Sequence, residues 1–145
     1  MENFNFNLQK VLDYRTSIEE KKKLEYVEAQ KNMLMQESIL KRLLGKRTTA
    51  EKYMVSNMTG YECLSLTRYI ENLDVKISNQ KNVLNESIKA LEIKIKELTQ
   101  CMSDRKVMEK LREKAYQEFT DEVNKKEQKL NDEFACNAFI RAYRR

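Results

Sequence analysis

Apolar residues recur along this chain at alternating steps of three and four. In the second half Leu84, Ile88, Leu91, Ile95, Leu98 and Met102 keep that rhythm without a miss. Leu66, Ile70, Leu73 and Ile77 continue it backwards, with Gln80 as one polar interruption. In the first half Leu8, Leu12, Tyr26, Ala29, Met33, Leu40, Leu43, Ala50 and Met54 fall on a second seam. Its gaps are filled by Arg15, Glu19, Lys22, Gln36 and Arg47. Such spacing puts residues on one face of a helix, and a sustained heptad turns that face into a coiled-coil seam.

Between the halves, Ser56-Asn57-Met58-Thr59-Gly60 is the place where turn-forming residues gather. The pattern predicts a helix over about 5–56, a turn over about 57–62 and a helix over about 63–142, within a single domain spanning 1–145. Gly60 is expected to end the first helix in the left-handed conformation, with Thr59 or Ser65 capping the second. Gly45 sits inside heptad sequence. It reads as a mid-helix glycine, costing about 1 kcal/mol, that lets the partner helix approach closely.

Folding the chain about Gly60 sets partners whose numbers sum to about 120. Leu12 then faces Met108, Tyr26 faces Ile95, Met33 faces Ile88, Leu43 faces Ile77, Ala50 faces Ile70, and Met54 faces Leu66. The two seams fit, which neither half requires of the other. The expected fold is therefore all-α: a long two-helix antiparallel coiled coil within one chain, rather than a parallel homodimer.

Two irregularities stand out. Near the open end, seam positions turn charged on both strands, with Arg15, Glu19 and Lys22 on one and Arg105, Glu109 and Arg112 on the other. Either the register slips, so that Met108 and Leu111 take over the seam, or this end packs conditionally and keeps its charges for a partner. The second irregularity is length. The first helix runs out opposite about position 112, and the second overhangs it by up to ~40 Å at 1.5 Å per residue. The overhang carries Tyr116, Phe119, Val123, Leu130 and Phe134 with nothing in the chain expected to cover them. A bare stripe is an interaction element, unless the tail folds back or frays. At the other end Tyr53, Tyr61 and Tyr69 lie beside Leu44 and Leu73, flanked by Lys46 and Arg47. That tip either caps the turn or docks a partner.

Composition narrows the function. Charged residues make up 35% of the 145 and mean hydropathy is −0.77, too polar for a compact globular core. Yet there is no Pro and only two Gly, which argues for helix over disorder. The net charge of +5 is spread along mixed faces. The short basic clusters, Lys41, Arg42, Lys46 and Arg47 and then Arg141, Arg144 and Arg145, lack the aromatic platforms of single-strand binders, so no nucleic acid is expected. Cys63, Cys101 and Cys136 are too few and too scattered for a disulfide framework, which points to a reducing cytosol. The N-terminus lacks a signal-peptide core and no run approaches the ~20 apolar residues of a membrane span, so a soluble intracellular chain is expected. Without histidine, triads and most zinc sites are excluded. Gly45-Lys46 is no phosphate loop, because its first glycine would fall at Leu40. Paired carboxylates such as Glu19–Glu20 and Asp132–Glu133 read as helix surface. No catalytic residue, cofactor or metal is expected: the chain is not an enzyme.

Phe4-x-Phe6-x-Leu8-x-x-Val11-Leu12-x-x-Arg15, followed by Glu19, resembles the opening of the flagellar export protein FliJ family. The second half adds Asp104-Arg105-Lys106, Glu109-Lys110-Leu111, Tyr116, then Glu127-Gln128-Lys129-x-x-Asp132-Glu133-x-Ala135. The resemblance implies a component of the flagellar type III protein export apparatus, similar to the central stalk of rotary ATP synthases. Such a protein inserts its paired ends into the hexameric export ATPase ring, promotes ring assembly, contacts the membrane-embedded export gate, and acts as a chaperone or chaperone escort. It is placed in the cytoplasm, peripheral to the inner membrane at the flagellar base, without inserting into it. On that footing the ATPase-binding end is Leu8, Leu12, Arg15, Glu19, Arg105, Arg112, Tyr116, Phe119 and Leu130. The gate-binding end is Leu44, Tyr53, Tyr69 and Leu73. The competing reading is a scaffold coiled coil unrelated to export, whose composition would look the same.

Overall fold

A computed structural model describes residues 3–54 and 57–145. It contains two long helices packed against each other, α1 (Gln9–Lys52) and α2 (Gly60–Tyr143), and no strand among the described residues. The fold is an all-α hairpin whose second helix, of 84 residues, outruns the first, of 44.

Local chemistry sets the helix ends. Thr59 Oγ1 accepts the Glu62 N–H at 3.3 Å, and the Glu62 carboxylate accepts the Thr59 N–H at 3.1 Å. This reciprocal capping box satisfies two donors that have no partner within a helix. It starts α2 at Gly60, earlier than the expected 63, and gives Gly60 a different role from the one expected. No described glycine has a positive φ, so Gly60 opens α2 instead of closing α1 in a left-handed turn. Ser56, the last residue of the expected first helix, lies outside the described residues.

α1 begins at Gln9 and not near residue 5. Residues 3–8 are non-helical, and Phe4 and Phe6 are half-buried while Asn3, Asn5 and Asn7 are exposed. That period of two is the pattern of extended chain. Asparagine is a poor helix former, and aromatic burial is the stronger term here.

Contacts group the chain into two units, Glu19–Gln100 and Met1–Ile18 with Cys101–Arg145. Within Glu19–Gln100 the helices run antiparallel. The Lys22 ammonium donates to Glu97 at 3.1 Å and that of Lys94 to Glu25 at 3.0 Å. The Gln80 amide reaches the Gln36 carbonyl oxygen at 3.0 Å, and Arg47 bonds Asp74. These pairs hold the expected register, with numbers summing to about 120. Ala50, Leu73 and Ile77 are buried, and Met33, Leu40, Leu43, Leu66, Ile70, Leu84 and Leu91 are half-buried along the same line.

The phase of the second seam differs from the expected one between Leu84 and Met102. Ser87 is only 7% exposed, whereas Ile88 is 38% and Ile95 43% exposed; Lys94 is half-buried. A continuous helix cannot reset its wheel. After the step of four from Gln80 to Leu84 the heptad calls for a step of three, so Ser87 and Lys94 take the seam, with Ile88 and Ile95 as its flank.

Gly45 likewise differs from expectation. A Cβ built on it meets nothing within 4 Å, so no close helix approach depends on it. Gly45→Ala should therefore stabilise the hairpin by about 0.5–1 kcal/mol, the helix propensity difference without a steric penalty. Thr59→Ala should cost about 1 kcal/mol through the lost cap. Urea unfolding followed by circular dichroism reads both. A Gly45→Ala variant that unfolds earlier than the parent would mean that the space beside Gly45 is occupied in solution.

Candidate functional site

At the open end, within the unit of residues 1–18 and 101–145, the extended N-terminal segment lies along α2. The Phe4 ring meets Tyr116 edge-on at 5.2 Å and tilts against Phe119 at 5.6 Å. The start of the α2 stripe, expected to be bare, is therefore partly covered by this chain's own Phe4, with Phe119 half-buried and Tyr116 still exposed. Beyond it Val123 is half-buried, while Leu130 and Phe134 are exposed. One shallow groove is lined by Phe4, Glu109, Arg112, Glu113 and Tyr116. A second follows the stripe past Asn3, Tyr116, Phe119, Val123 and Leu130. Phe4 is the site residue that the heptad reading overlooked. Its signal was the alternation Asn3-Phe4-Asn5-Phe6-Asn7, which does not fit a helix.

Three of the expected open-end charges, Arg15, Arg105 and Glu109, are paired within the chain, and the Arg15–Asp104 pair keeps the original register. Arg15 donates to Asp104 at 3.3 Å, and Arg105 pairs with Glu109. Met108 is half-buried where the original register puts it, and Leu111 is exposed. Leu12 is buried and Leu8 is exposed. Of the three arginines expected at this end, Arg112 is the one that lines an open groove.

Within Glu19–Gln100, Glu19 is 3% exposed, a carboxylate in the seam, with Lys23 at 3.1 Å. Both Lys22 and Lys94 reach both Glu25 and Glu97, at 3.0 to 3.3 Å, closing a four-membered ring of charge across the two helices. The hydrogen bond from Lys94, followed by that from Lys22, holds the Glu25 carboxyl below its ordinary value. The same two bonds, Lys22 first, lower Glu97. Reciprocally, Glu97 raises Lys22 and Glu25 raises Lys94.

The turn end lies wholly in the Glu19–Gln100 unit. Tyr53, Tyr69 and Leu44 are exposed. Leu73, expected beside them as a docking residue, is 3% exposed and belongs to the seam instead. The cause is its heptad position, which points it at α1. A groove runs between Gly45, Lys46, Thr49 and Ala50 on one side and Leu66 and Tyr69 on the other, with Tyr53 at its end. A second is lined by Met58, Tyr61, Glu62, Ser65, Leu66 and Tyr69. Arg47 spends its charge on Asp74 and Glu51, which leaves Lys46 as the cation lining the groove.

Among the described residues no cluster of three or more metal-ligating side chains occurs, and no helix is long and apolar enough to cross a membrane. The three cysteines are unpaired. The family model described as Flagellar FliJ protein matches residues 4–144. The chain matches no curated protein and no solved structure.

The ring of Lys22, Glu25, Lys94 and Glu97 makes stability depend on pH in a defined direction. Carboxyls held below the ordinary 4.5 stabilise above that value and lose the contribution as pH falls through their folded values. Ammoniums raised above the ordinary 10.5 stabilise below it and lose the contribution as pH rises further. Melting should therefore be flat near neutrality and fall on both sides. The gap between the parent and a Lys22→Ala, Lys94→Ala variant should shrink between about pH 7 and about pH 3. A gap of equal size at both would show that the ring does not contribute.

Proposed function

The chain belongs to the flagellar FliJ protein family, a membership that supports a role in flagellar protein export, and on that premise we propose that it works as a stalk gripped at both ends. The open end binds the hexameric export ATPase and promotes assembly of its ring. The turn end docks the cytoplasmic part of the export gate, and the hairpin escorts export chaperones between the two. The chain acts by binding and does no chemistry. It is cytoplasmic and peripheral at the inner membrane of the flagellar base.

The observation that carries the proposal is the partly covered α2 stripe. Phe4 packs on Tyr116 and Phe119, and the same face runs on to exposed Leu130 and Phe134. The face is thus preformed at one end and open at the other, with Arg112 in the adjoining groove. An apolar stripe with a positioned arginine is how a few residues come to dominate an interface. Arg15 helps keep the helices paired through Asp104, while Arg105 pairs within α2 with Glu109. At the turn end, Tyr53 and Tyr69 help line a groove with Gly45, Thr49, Ala50 and Leu66, where an apolar anchor fits.

Each end can be tested separately. Leu130→Ala with Phe134→Ala should weaken binding to the export ATPase by roughly tenfold or more through lost burial, with melting unchanged. Arg112→Ala should add to that loss. Tyr53→Ala with Tyr69→Ala should weaken gate binding and leave ATPase stimulation intact. If the Leu130 and Phe134 variant still stimulates the ATPase at full strength, the working surface is elsewhere. If the tyrosine variant loses helicity along with gate binding, those rings serve to close the turn.

A further inference from the structure

The extended segment ahead of α1 has two unlike sides. Phe4 and Phe6 are half-buried, while Asn3, Asn5 and Asn7 are exposed. It lies on the apolar stripe of α2, where Tyr116, Phe119, Val123, Leu130 and Phe134 fall within an arc of about 60° on a wheel of 3.6 residues per turn. Phe4 packs on the first two of these. The segment thus replaces the start of an apolar stripe by a row of amides. Asn3 stands at the edge of the groove that continues past Val123 and Leu130. This cover can leave without loosening the coil. α1 starts only at Gln9, and Leu12 is the first buried residue of its seam, so lifting residues 3–8 breaks no helix. Tyr116 stays 55% exposed beneath the Phe4 ring, and Leu8, where the segment joins α1, is exposed too. Segments with so little buried surface open locally, well before the whole molecule unfolds.

We propose that residues 3–8 form a reversible strap that hides the start of the α2 stripe in the free chain, and that the export ATPase displaces it on binding, a step that rests on assigning the open end to that ATPase. Two groups cannot share the surface of Tyr116 and Phe119. A partner element that follows the stripe back past Val123 meets the Phe4 ring and the Asn3 amide in its path. Burying that amide without a partner for it is unfavourable, so the strap gives way rather than joining the contact. With the strap closed, the bare stripe runs from Val123 to Phe134, ~17 Å of helix; with it lifted, the stripe runs from Tyr116, ~27 Å. The same movement removes the wall that Phe4 forms in the groove beside Arg112. Closure has a measurable consequence. Apparent affinity falls by the fraction of chains whose strap is open, and each ring contact shifts that balance by roughly two- to tenfold.

The test pairs ATPase binding with a reporter of the strap. The chain has no tryptophan, so Phe4→Trp puts a single indole in the strap of the full chain. Its emission should be blue-shifted in the free chain and move to the red when the ATPase, with its own emission subtracted, is added. Phe4→Ala should tighten ATPase binding roughly tenfold, because the closed state is lost. Helicity should match the parent's, since the substitution lies outside both helices. A Phe4→Ala chain that binds no more tightly than the parent, or indole emission that stays blue in the complex, would overturn the proposal. Failure of the ATPase assignment looks different. If Leu130→Ala with Phe134→Ala weakens binding while Phe4→Ala does not strengthen it, the strap falls and the assignment stands. If none of these substitutions changes binding, the assignment falls and takes the strap's role with it.

Discussion

A pair of helices has a single line of contact, so everything that holds this hairpin together must come from two facing seams in register. Among the described residues there is no third helix and no strand to compensate for a poor position. The most buried apolar residues, Leu12, Ala50, Leu73 and Ile77, are few, and the rest of the line is half-buried. Under that constraint, charges in the seam matter more than surface charges usually do. Glu19 is almost entirely removed from water, a cost that only a partner such as Lys23 at 3.1 Å can offset. Lys22 and Lys94 occupy seam positions where apolar residues would bury more. Each reaches two carboxylates, and one of those lies on the other helix. A slip of one residue would break these pairs together. Polar seam positions of this kind give up some burial and in return fix register.

The register was legible in the sequence for the same reason. Two seams of apolar residues must sum to a constant if they are to meet, and Leu43 with Ile77 or Ala50 with Ile70 already gives it. The phase near Ser87 and Lys94 was not legible from hydrophobicity, because isoleucine one step away is the more apolar choice. Only the uninterrupted wheel of α2 decides between them. The N-terminal segment was misread. The period of two at Phe4 and Phe6 argues against a helix there, and what holds the segment is the contact of Phe4 with Tyr116 and Phe119 on α2. The capping role of Thr59 was readable, since Thr-x-x-Glu is a local signal, and it moved Gly60 from the end of one helix to the start of the next.

The exposure and pairing of the candidate side chains were only partly legible, and the differences share a cause. Leu73 and Tyr69 lie four residues apart near the same tip, and both read as available. The heptad separates them, since Leu73 points along the contact line and Tyr69 points beside it. Arg15 and Glu19 read as spare charge because their counterparts, Asp104 and Lys23, lie off the seam, and Arg105 because its partner Glu109 was counted with it as a second spare charge.

Those corrections lead to a division of labour. In a structure this thin, a residue that holds the helices together cannot also be offered to a partner, because removing it from the seam opens the hairpin locally. Apolar surface open to solvent without opening the seam lies at positions flanking it or on helix beyond the reach of α1. The turn-end tyrosines are of the first kind. Leu130, Phe134 and the terminal Phe139–Tyr143 face are of the second. Such positions can exchange water for a partner without loosening the coil, whereas Ala50, Leu73 and the Lys22–Glu97 pairing can vary only at the expense of the fold.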